Sequence, residues 1–236
     1  MIREVDIGDI SDGKFYQYDD LVKVGCSDCE GCSACCHEMG ASILLDPLDV
    51  HRLGQCLDRI FDQLLDWVIE LNIVDGLILP NLKMSEEKEA CPFLNQEERC
   101  SIHPYRPGLC RLFPMGRFYE DGSFRYFLQK GQCKKKGRYK LRLRQWLDTP
   151  DLISYDAYIT EWHYLIRKAG EAVSLLSEEE QKKVYLYVIR LFYEKPYSKR
   201  FDFYEQFRER LIEAIVLIVC AGAWTCQKNR IVQPVG

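Results

Sequence analysis

The chain has 236 residues, of which 47% are hydrophobic and 29% are charged, and its formal net charge is −4. This length suits one large domain or two small ones, which bury enough apolar surface to fold without disulfide bonds. The negative charge excludes a strong overall attraction to nucleic acid or to anionic membranes.

The cellular compartment follows from what the sequence lacks. The N-terminal stretch has no apolar segment of the secretory type, and the longest apolar run, over residues 214–224, is too short to cross a bilayer. We therefore expect a cytoplasmic protein. In that reducing compartment, twelve cysteines favour metal binding over a disulfide framework.

The first half of the chain predicts loops and then a helix. Residues 1–40 are polar and weakly periodic, which favours loops around a metal, and residues 41–45 form a short apolar run typical of a buried strand. Asp46 is the expected N-cap of a helix with Pro47 at its first position. Apolar residues recur every three or four positions as far as Leu71, where we expect this helix to end.

Residues 76–133 favour strands and loops. A hairpin is predicted over residues 117–127, because the dipeptide Asp121-Gly122 tolerates the positive φ angles of a type I′ turn. The aromatic residues around this turn are expected to pack rather than to stack on a ligand.

From about residue 140 the pattern becomes helical. Thr149-Pro150 predicts the start of one helix, and Ser177 with Glu180 forms the capping box of another. A last helix is expected to stop near Gly222. The predicted fold is α+β and mainly α, with metal-centred Cys-rich loops, a small β-hairpin and a C-terminal helical bundle. Residues 1–140 would form the metal-binding region, with residues 141–236 packed against it as one domain.

The cysteine spacing carries the functional signal. A C-x2-C pair directs two thiolates to one metal, because the residues between them form a tight turn. Cys26, Cys29, Cys32 and Cys36 match the C-x2-C-x2-C-x3-C run of bacterial ferredoxins. The predicted metal ligands form an upstream and a downstream array, with Cys26 as an additional candidate: Cys29, Cys32, Cys35 and Cys36, then Cys91, Cys100, Cys110 and Cys133.

Residues beside these cysteines leave alternatives open. The side chains of Cys35 and Cys36 should diverge because they are adjacent, so one faces the metal and the other a second site or the core. Arg106 and Arg111 would either offset the charge of four thiolates or lie at the surface. The histidines His37 and His103 neighbour ligand candidates, although the cysteines already suffice.

Other functional motifs are missing or weak. The sequence has no Walker A motif and no G-x-G-x-x-G, and Met39 replaces the third cysteine of a C-x3-C-x2-C radical motif. Residues 134–144 carry seven basic side chains, which either dock an acidic protein or RNA or form a solvated segment. We expect a protein substrate or a redox partner, and neither nucleic acid nor a membrane.

Several motifs in the same order give a family resemblance. The residues 29–36, Cys91-Pro92-Phe93-Leu94, Cys100-Ser101-Ile102-His103, Arg106-Pro107 and Phe113-Pro114 resemble the YkgJ family of cysteine-cluster proteins, which are described as zinc- or iron-chelating. The same pattern is distantly similar to flagellin lysine N-methylase. The resemblance covers about residues 26–133. It implies a metal centre, a [4Fe-4S] cluster, and in the methylase branch methyl transfer from S-adenosylmethionine to protein lysines.

Three function classes follow from these observations: an iron–sulfur protein, a zinc-binding module, and a protein that stores or delivers metal. The ferredoxin-like spacing and the family resemblance favour an iron–sulfur protein that acts in redox chemistry or in methyl transfer. The alternative is a zinc-binding structural or interaction module, because sites of four thiolates suit either metal. The sequence identifies no catalytic residue.

Overall fold

The computed structural model describes residues 6–27, 29–30, 32–85, 87 and 89–231, with side chains as far as Leu217. The helices of this part of the chain are α1 (Ile7–Ile10), α2 (Pro47–Leu57), α3 (Phe61–Leu65), α4 (Gly108–Leu112), α5 (Leu143–Leu147), α6 (Leu152–Val173), α7 (Glu178–Ile189) and α8 (Phe203–Ile231). The strands are β1 (Ser11–Tyr16), β2 (Leu21–Gly25), β3 (Ile69–Val74), β4 (Leu77–Leu82), β5 (Met115–Glu120), β6 (Ser123–Gln129) and β7 (Tyr139–Arg142).

The strands form three small antiparallel sheets among these helices. Their orders are β1-β6-β5, β2-β7 and β3-β4. The predicted α+β fold with a helical C-terminal region is therefore confirmed. None of the helices that the structure describes combines the length and the apolarity that crossing a bilayer requires.

The predicted helix starts at Asp46 and Ser177 are confirmed. Asp46 caps α2 in a reciprocal capping box with Asp49, and Pro47 occupies the first helical position. Ser177 and Glu180 cap α7 in the same way. The start of α6 differs slightly from the prediction, since Asp151 rather than Thr149 caps it.

The helix predicted to reach Leu71 is shorter, and that prediction is wrong. It ends at Leu57, because Asp58 adopts a left-handed backbone with φ 51°. Leu71 lies instead in β3, which turns through Asp75 and Gly76 into β4. Both turn residues have positive φ, so this Asp-Gly signal outweighs the helical spacing of the apolar residues.

The N-terminal segment is also more regular than predicted. Within residues 1–40 the chain forms β1 and β2, whose partners β6 and β7 lie more than a hundred residues further along. The run expected as a strand near residues 41–45 makes a 3-10 turn, Gly40–Ser42, and then an isolated bridge from Leu44 to Asn81. At the other end, α8 continues past Gly222 to Ile231.

The predicted hairpin is confirmed. β5 and β6 pair in register from Met115 opposite Leu128 to Glu120 opposite Ser123. Asp121 and Gly122 between them have φ of 50° and 76°, as a type I′ turn requires.

One hydrophobic core joins the helices to the loops that carry cysteines. The side chains of Tyr158, Phe192 and Phe207 are fully buried in it, and the side chains of Cys91, Cys100 and Cys110 pack against its edge. A smaller core lies under β2, β6 and α5. The predicted division near residue 140 stays a prediction.

Candidate metal centre

Tight turns after β2 position the first thiols. The amide of Cys29 donates to the carbonyl of Cys26 at 3.2 Å, and the amide of Cys32 donates to that of Cys29 at 2.9 Å. Ser27 and Cys29 adopt positive φ angles of 50° and 59°, which coil the backbone. As a result, the sulfur atoms of Cys26 and Cys29 lie 3.3 Å apart.

Backbone pairing brings the upstream and downstream arrays together. The amide of Cys91 donates to the carbonyl of Cys36 at 2.7 Å, and His37 forms an antiparallel bridge with Ala90. A further bond of 2.7 Å joins the Glu38 amide to the Glu89 carbonyl. More than fifty residues separate these segments in sequence, so the fold places both arrays at one location.

A narrow loop carries Cys91 and Cys100. The amide of Ser101 donates to the carbonyl of Phe93 at 2.8 Å, and Leu94 forms a bridge with Cys100. Phe93 is buried in the main core, where it anchors this loop. The two cysteines therefore lie at the base of the loop, next to the core.

Cys110 is positioned by α4, whose start is held by α2. The buried carboxylate of Asp49 accepts a hydrogen bond of 2.8 Å from the Gly108 amide. Gly108 permits this close contact, since a Cβ atom there would lie 2.4 Å from the Tyr155 hydroxyl oxygen. The Asp46–Asp49 capping box thus fixes both helix starts beside the thiols.

The thiols are buried close enough to influence one another. Burial raises the pKa of Cys91, Cys100 and Cys110, and the charge of Cys91 raises that of Cys110 further. Burial and the neighbouring thiol of Cys26 raise the pKa of Cys29 to about 12.

Cys35 connects the two arrays. A hydrogen bond between the Cys35 and Cys36 side chains, together with burial, raises the pKa of Cys35. The charge of Cys35 in turn acts on thiols of both arrays: Cys29, Cys91, Cys100 and Cys110. The Cys36 backbone also pairs with Cys91, so both members of the adjacent pair lie where the arrays meet, and the choice of ligand between them stays a prediction.

This arrangement fits a soft metal. Thiols that oppose each other's ionisation are stabilised as thiolates by a metal cation, which supplies the missing positive charge. Thiolate is the donor that zinc and iron–sulfur centres share. Among the residues that the structure describes, no three Cys, His, Asp or Glu side chains already stand around the position of a single ion.

The two predicted arginines have different positions. The charge of Arg106 lowers the pKa of Cys35 and Cys100 against the opposing effect of burial, so it favours their thiolate forms. Arg111 is only 5% exposed and is not at the surface. Its guanidinium donates to the carbonyls of Arg106 at 3.1 Å and Asp148 at 2.6 Å, and also to that of Pro104. Arg111 thus fixes the turn between Cys100 and Cys110.

The remaining candidates lie at the edge of the site. His37 contacts Glu98 at 3.3 Å, and His103 contacts the Arg106 guanidinium. Cys133 is half-buried, and its place among the ligands stays a prediction. The nearby ammonium of Lys135 donates to the Glu30 carbonyl, which brings this segment beside the upstream array.

Sequence reasoning missed the support given by Asp49, Gly108 and Tyr155. The spacing of Asp46 and Asp49 signals a capping box, but the contact with Gly108 spans 59 residues. Sequence reasoning also missed a cavity of about 320 Å³ beside the upstream thiols. Residues that line this cavity include Cys26, Cys29, Arg106 and Trp146.

These features define a cysteine-rich metal-chelating domain. Residues 28–134 match the family model CxxCxxCC, which is described as a putative zinc- or iron-chelating domain. This match agrees with the resemblance to cysteine-cluster proteins that the cysteine pattern indicates. No curated protein and no solved structure matches the chain, and the distant similarity to flagellin lysine N-methylase stays a prediction. Cys26 lies outside the matched residues.

Proposed function

We propose that this chain is an iron–sulfur protein whose two cysteine arrays hold one shared cluster. The observation that carries the proposal is the backbone pairing of Cys36 with Cys91 at 2.7 Å, continued by the bridge between His37 and Ala90, which brings the two arrays together. The ligands we propose come from both arrays, from the thiols that act on one another: Cys29, Cys35, Cys91, Cys100 and Cys110.

Iron is favoured over zinc by the number of the thiols. Nine cysteines lie in or next to the two arrays, and a single zinc ion would use only four of them. When bound, an iron–sulfur cluster supplies a centre for electron transfer.

The protein residues around the centre have separable tasks. Cys110 and the core behind it exclude water, and the positive charge of Arg106 stabilises the neighbouring thiolates. Asp49 and Arg111 hold the backbone on either side of the downstream cysteines. A redox partner, a protein substrate and S-adenosylmethionine remain predictions from the sequence.

A zinc-stabilised interaction module is the second candidate, and one distance favours it. Two thiolates on the same zinc ion stand about 3.8 Å apart when each Zn–S bond is about 2.3 Å. The sulfur atoms of Cys26 and Cys29 are 3.3 Å apart, which is close to that separation. Small side-chain rotations would therefore let this pair share one ion.

Metal analysis of protein prepared without oxygen distinguishes the two candidates. We expect a brown protein that contains iron and acid-labile sulfide, and we expect Cys35→Ser to lose both. Cys56→Ser is the matched control, since Cys56 lies on α2 outside both arrays and should leave the metal content unchanged. Colourless protein with tightly bound zinc and no sulfide would overturn the iron proposal in favour of the zinc module, and metal-free protein would contradict both.

A further inference from the structure

The thiols of Cys26 and Cys29 make a close contact at the edge of the family match. The sulfur atoms of Cys26 and Cys29 are 3.3 Å apart, and Cys26 precedes the residues that match the family model. Cys26 is 5% exposed, whereas Cys29 is half-buried. This pair therefore combines a sheltered sulfur with a more accessible one.

The backbone between the two residues is already compatible with a disulfide. The hydrogen bond from the Cys29 amide to the Cys26 carbonyl closes a tight turn, which keeps the two Cα atoms within about 7 Å. A disulfide bond is about 2.05 Å long, so the sulfur atoms need to approach by only about 1 Å. Rotation of the two side chains supplies a movement of this size without unfolding the turn.

A small oxidant can reach the pair through the adjoining cavity. The cavity of about 320 Å³ is lined by both thiols and is walled by Arg106, Tyr139 and Trp146. This volume accommodates hydrogen peroxide many times over, because one water molecule occupies about 30 Å³ in the liquid. The sulfur of Cys29 is the more accessible and is the expected point of attack, although its raised pKa makes this first step slow.

We infer that Cys26 and Cys29 form a redox pair that hydrogen peroxide converts to a disulfide, which withdraws Cys29 from the metal centre. Peroxide first oxidises the Cys29 sulfur to a sulfenic acid and releases one water. The Cys26 sulfur then displaces the hydroxyl group, which leaves with a proton as a second water, and the S–S bond forms. Overall, two thiols give two electrons and two protons to one peroxide.

The loss of metal would follow from the position of Cys29. The turn after Cys29 leads directly into the segment of Cys32 and Cys36, whose backbone pairs with Cys91 of the downstream array. A sulfur held in a disulfide no longer donates as a thiolate, so the upstream array contributes less to the centre. This second part of the inference rests on the proposed metal function, whereas disulfide formation does not.

The first experiment treats metal-stripped full-length protein with hydrogen peroxide and maps the products by mass spectrometry after differential alkylation. We expect Cys26 and Cys29 to lose alkylation together, ahead of the other cysteines, with a cross-linked peptide lighter by two hydrogen atoms. Cys56→Ser should give the same cross-link, and Cys26→Ser should instead accumulate sulfenic acid at Cys29. A cross-link between other cysteines, or over-oxidation at Cys29 in the wild type, would overturn the inference.

The second experiment follows metal release from the loaded protein during peroxide treatment. We expect release from the wild type to parallel disulfide formation, to reverse on reduction in the presence of the metal, and to be slower in Cys26→Ser. Equal release rates in both proteins would contradict the control of metal binding by this pair. If neither protein binds metal, the proposed function fails, while the first experiment still decides the disulfide.

Discussion

The helical region and the cysteine loops are held together by different interactions. Aromatic side chains pack edge to face between the helices, as Tyr158 of α6 does on Phe207 of α8 with ring centroids 4.5 Å apart. Trp162 of α6 packs in the same way at 5.0 Å on Phe192, which follows α7. The cysteine loops instead depend on backbone hydrogen bonds, left-handed residues and buried charged side chains. Apolar burial alone should therefore stabilise the helices, whereas the loops need metal to reach full stability.

Buried hydrogen bonds connect these two regions. The Tyr158 hydroxyl on α6 donates to Asp46 at 3.0 Å, and the partner of Asp46 in the capping box, Asp49, holds Gly108 beside Cys110. The helices thus provide a scaffold for the thiols. We expect damage to the loops to leave the helices folded, and damage to the helices to lower the stability of the whole domain.

Metal removal should separate the two regions most clearly. Structural zinc contributes about 10–16 kcal/mol of binding free energy in small metal-dependent domains, and much of that stabilisation would be lost here with the metal. Hydrogen exchange measured with and without a chelator should show faster exchange in the loops around Cys29 and Cys100 and protected amides in α6. If the chelator accelerated amide exchange equally in the loops and in α6, the proposed difference between the two regions would be contradicted.

Loss of an aromatic side chain from the helical core should have the next largest effect. Phe207 is fully buried between α6 and α8, so Phe207→Ala should lower the free energy of unfolding by about 3–5 kcal/mol. Leu175 is 74% exposed, and Leu175→Ala should change the free energy of unfolding by less than about 0.5 kcal/mol. Urea unfolding measures both, and the metal content of the folded protein should stay the same in both variants.

Arg111→Lys tests the support of the downstream loop. A lysine cannot reach all three carbonyls, and leaving buried acceptors unpaired should cost about 1–3 kcal/mol. Metal should also bind more weakly, because this turn lies between Cys100 and Cys110. Arg142→Lys, at an exposed ion pair with Asp19, is the control and should change neither quantity. A stable Arg111→Lys variant with unchanged metal affinity would refute this role.

The smallest expected effect is a pH dependence within α6. His163 stacks on Tyr119 with centroids 3.6 Å apart, and burial lowers its pKa from 6.5 to about 4. The unfolded chain therefore binds the proton more readily, and stability should fall as the pH drops from 6.5 towards 4. With solvent screening at the half-buried ring, the loss should be on the order of 1–2 kcal/mol.

His163→Phe isolates this effect. The variant should have the same free energy of unfolding as the wild type at pH 7 and a higher one at pH 4.5. Urea unfolding at each pH measures both values. A constant difference between the two proteins at both pH values would exclude the histidine as the cause.

Local signals in the sequence predicted much of the helical region and little of the path between elements. Some signals act within a few residues, and their patterns were sufficient to predict two helix starts and one hairpin. These signals are the capping residues Asp46 and Ser177 and the turn Asp121-Gly122. Pairing of Val22 with Leu141 depends on contacts across the whole chain. The end of α2 was mispredicted because the apolar residues that follow it are also spaced by three and four positions.

In the candidate site, too, local sequence signals were predictable and long-range contacts were not. The cysteine spacing predicted the candidate ligands, since C-x2-C turns are local and chemically specific, and their role as ligands stays a prediction. The role of Asp49 could not be predicted in this way, because its partner Gly108 comes close only after folding. Likewise, nothing local indicates that the Cys36 backbone pairs with Cys91.

X-ray absorption at the metal edge of the loaded protein tests the central claim most directly. We predict a first shell of sulfur, with iron–iron scattering from a cluster, and we predict that Cys35→Ser and Cys110→Ser each disrupt this shell although they lie in different arrays. A first shell of nitrogen and oxygen, or a sulfur shell that depends on one array alone, would contradict a centre shared by both.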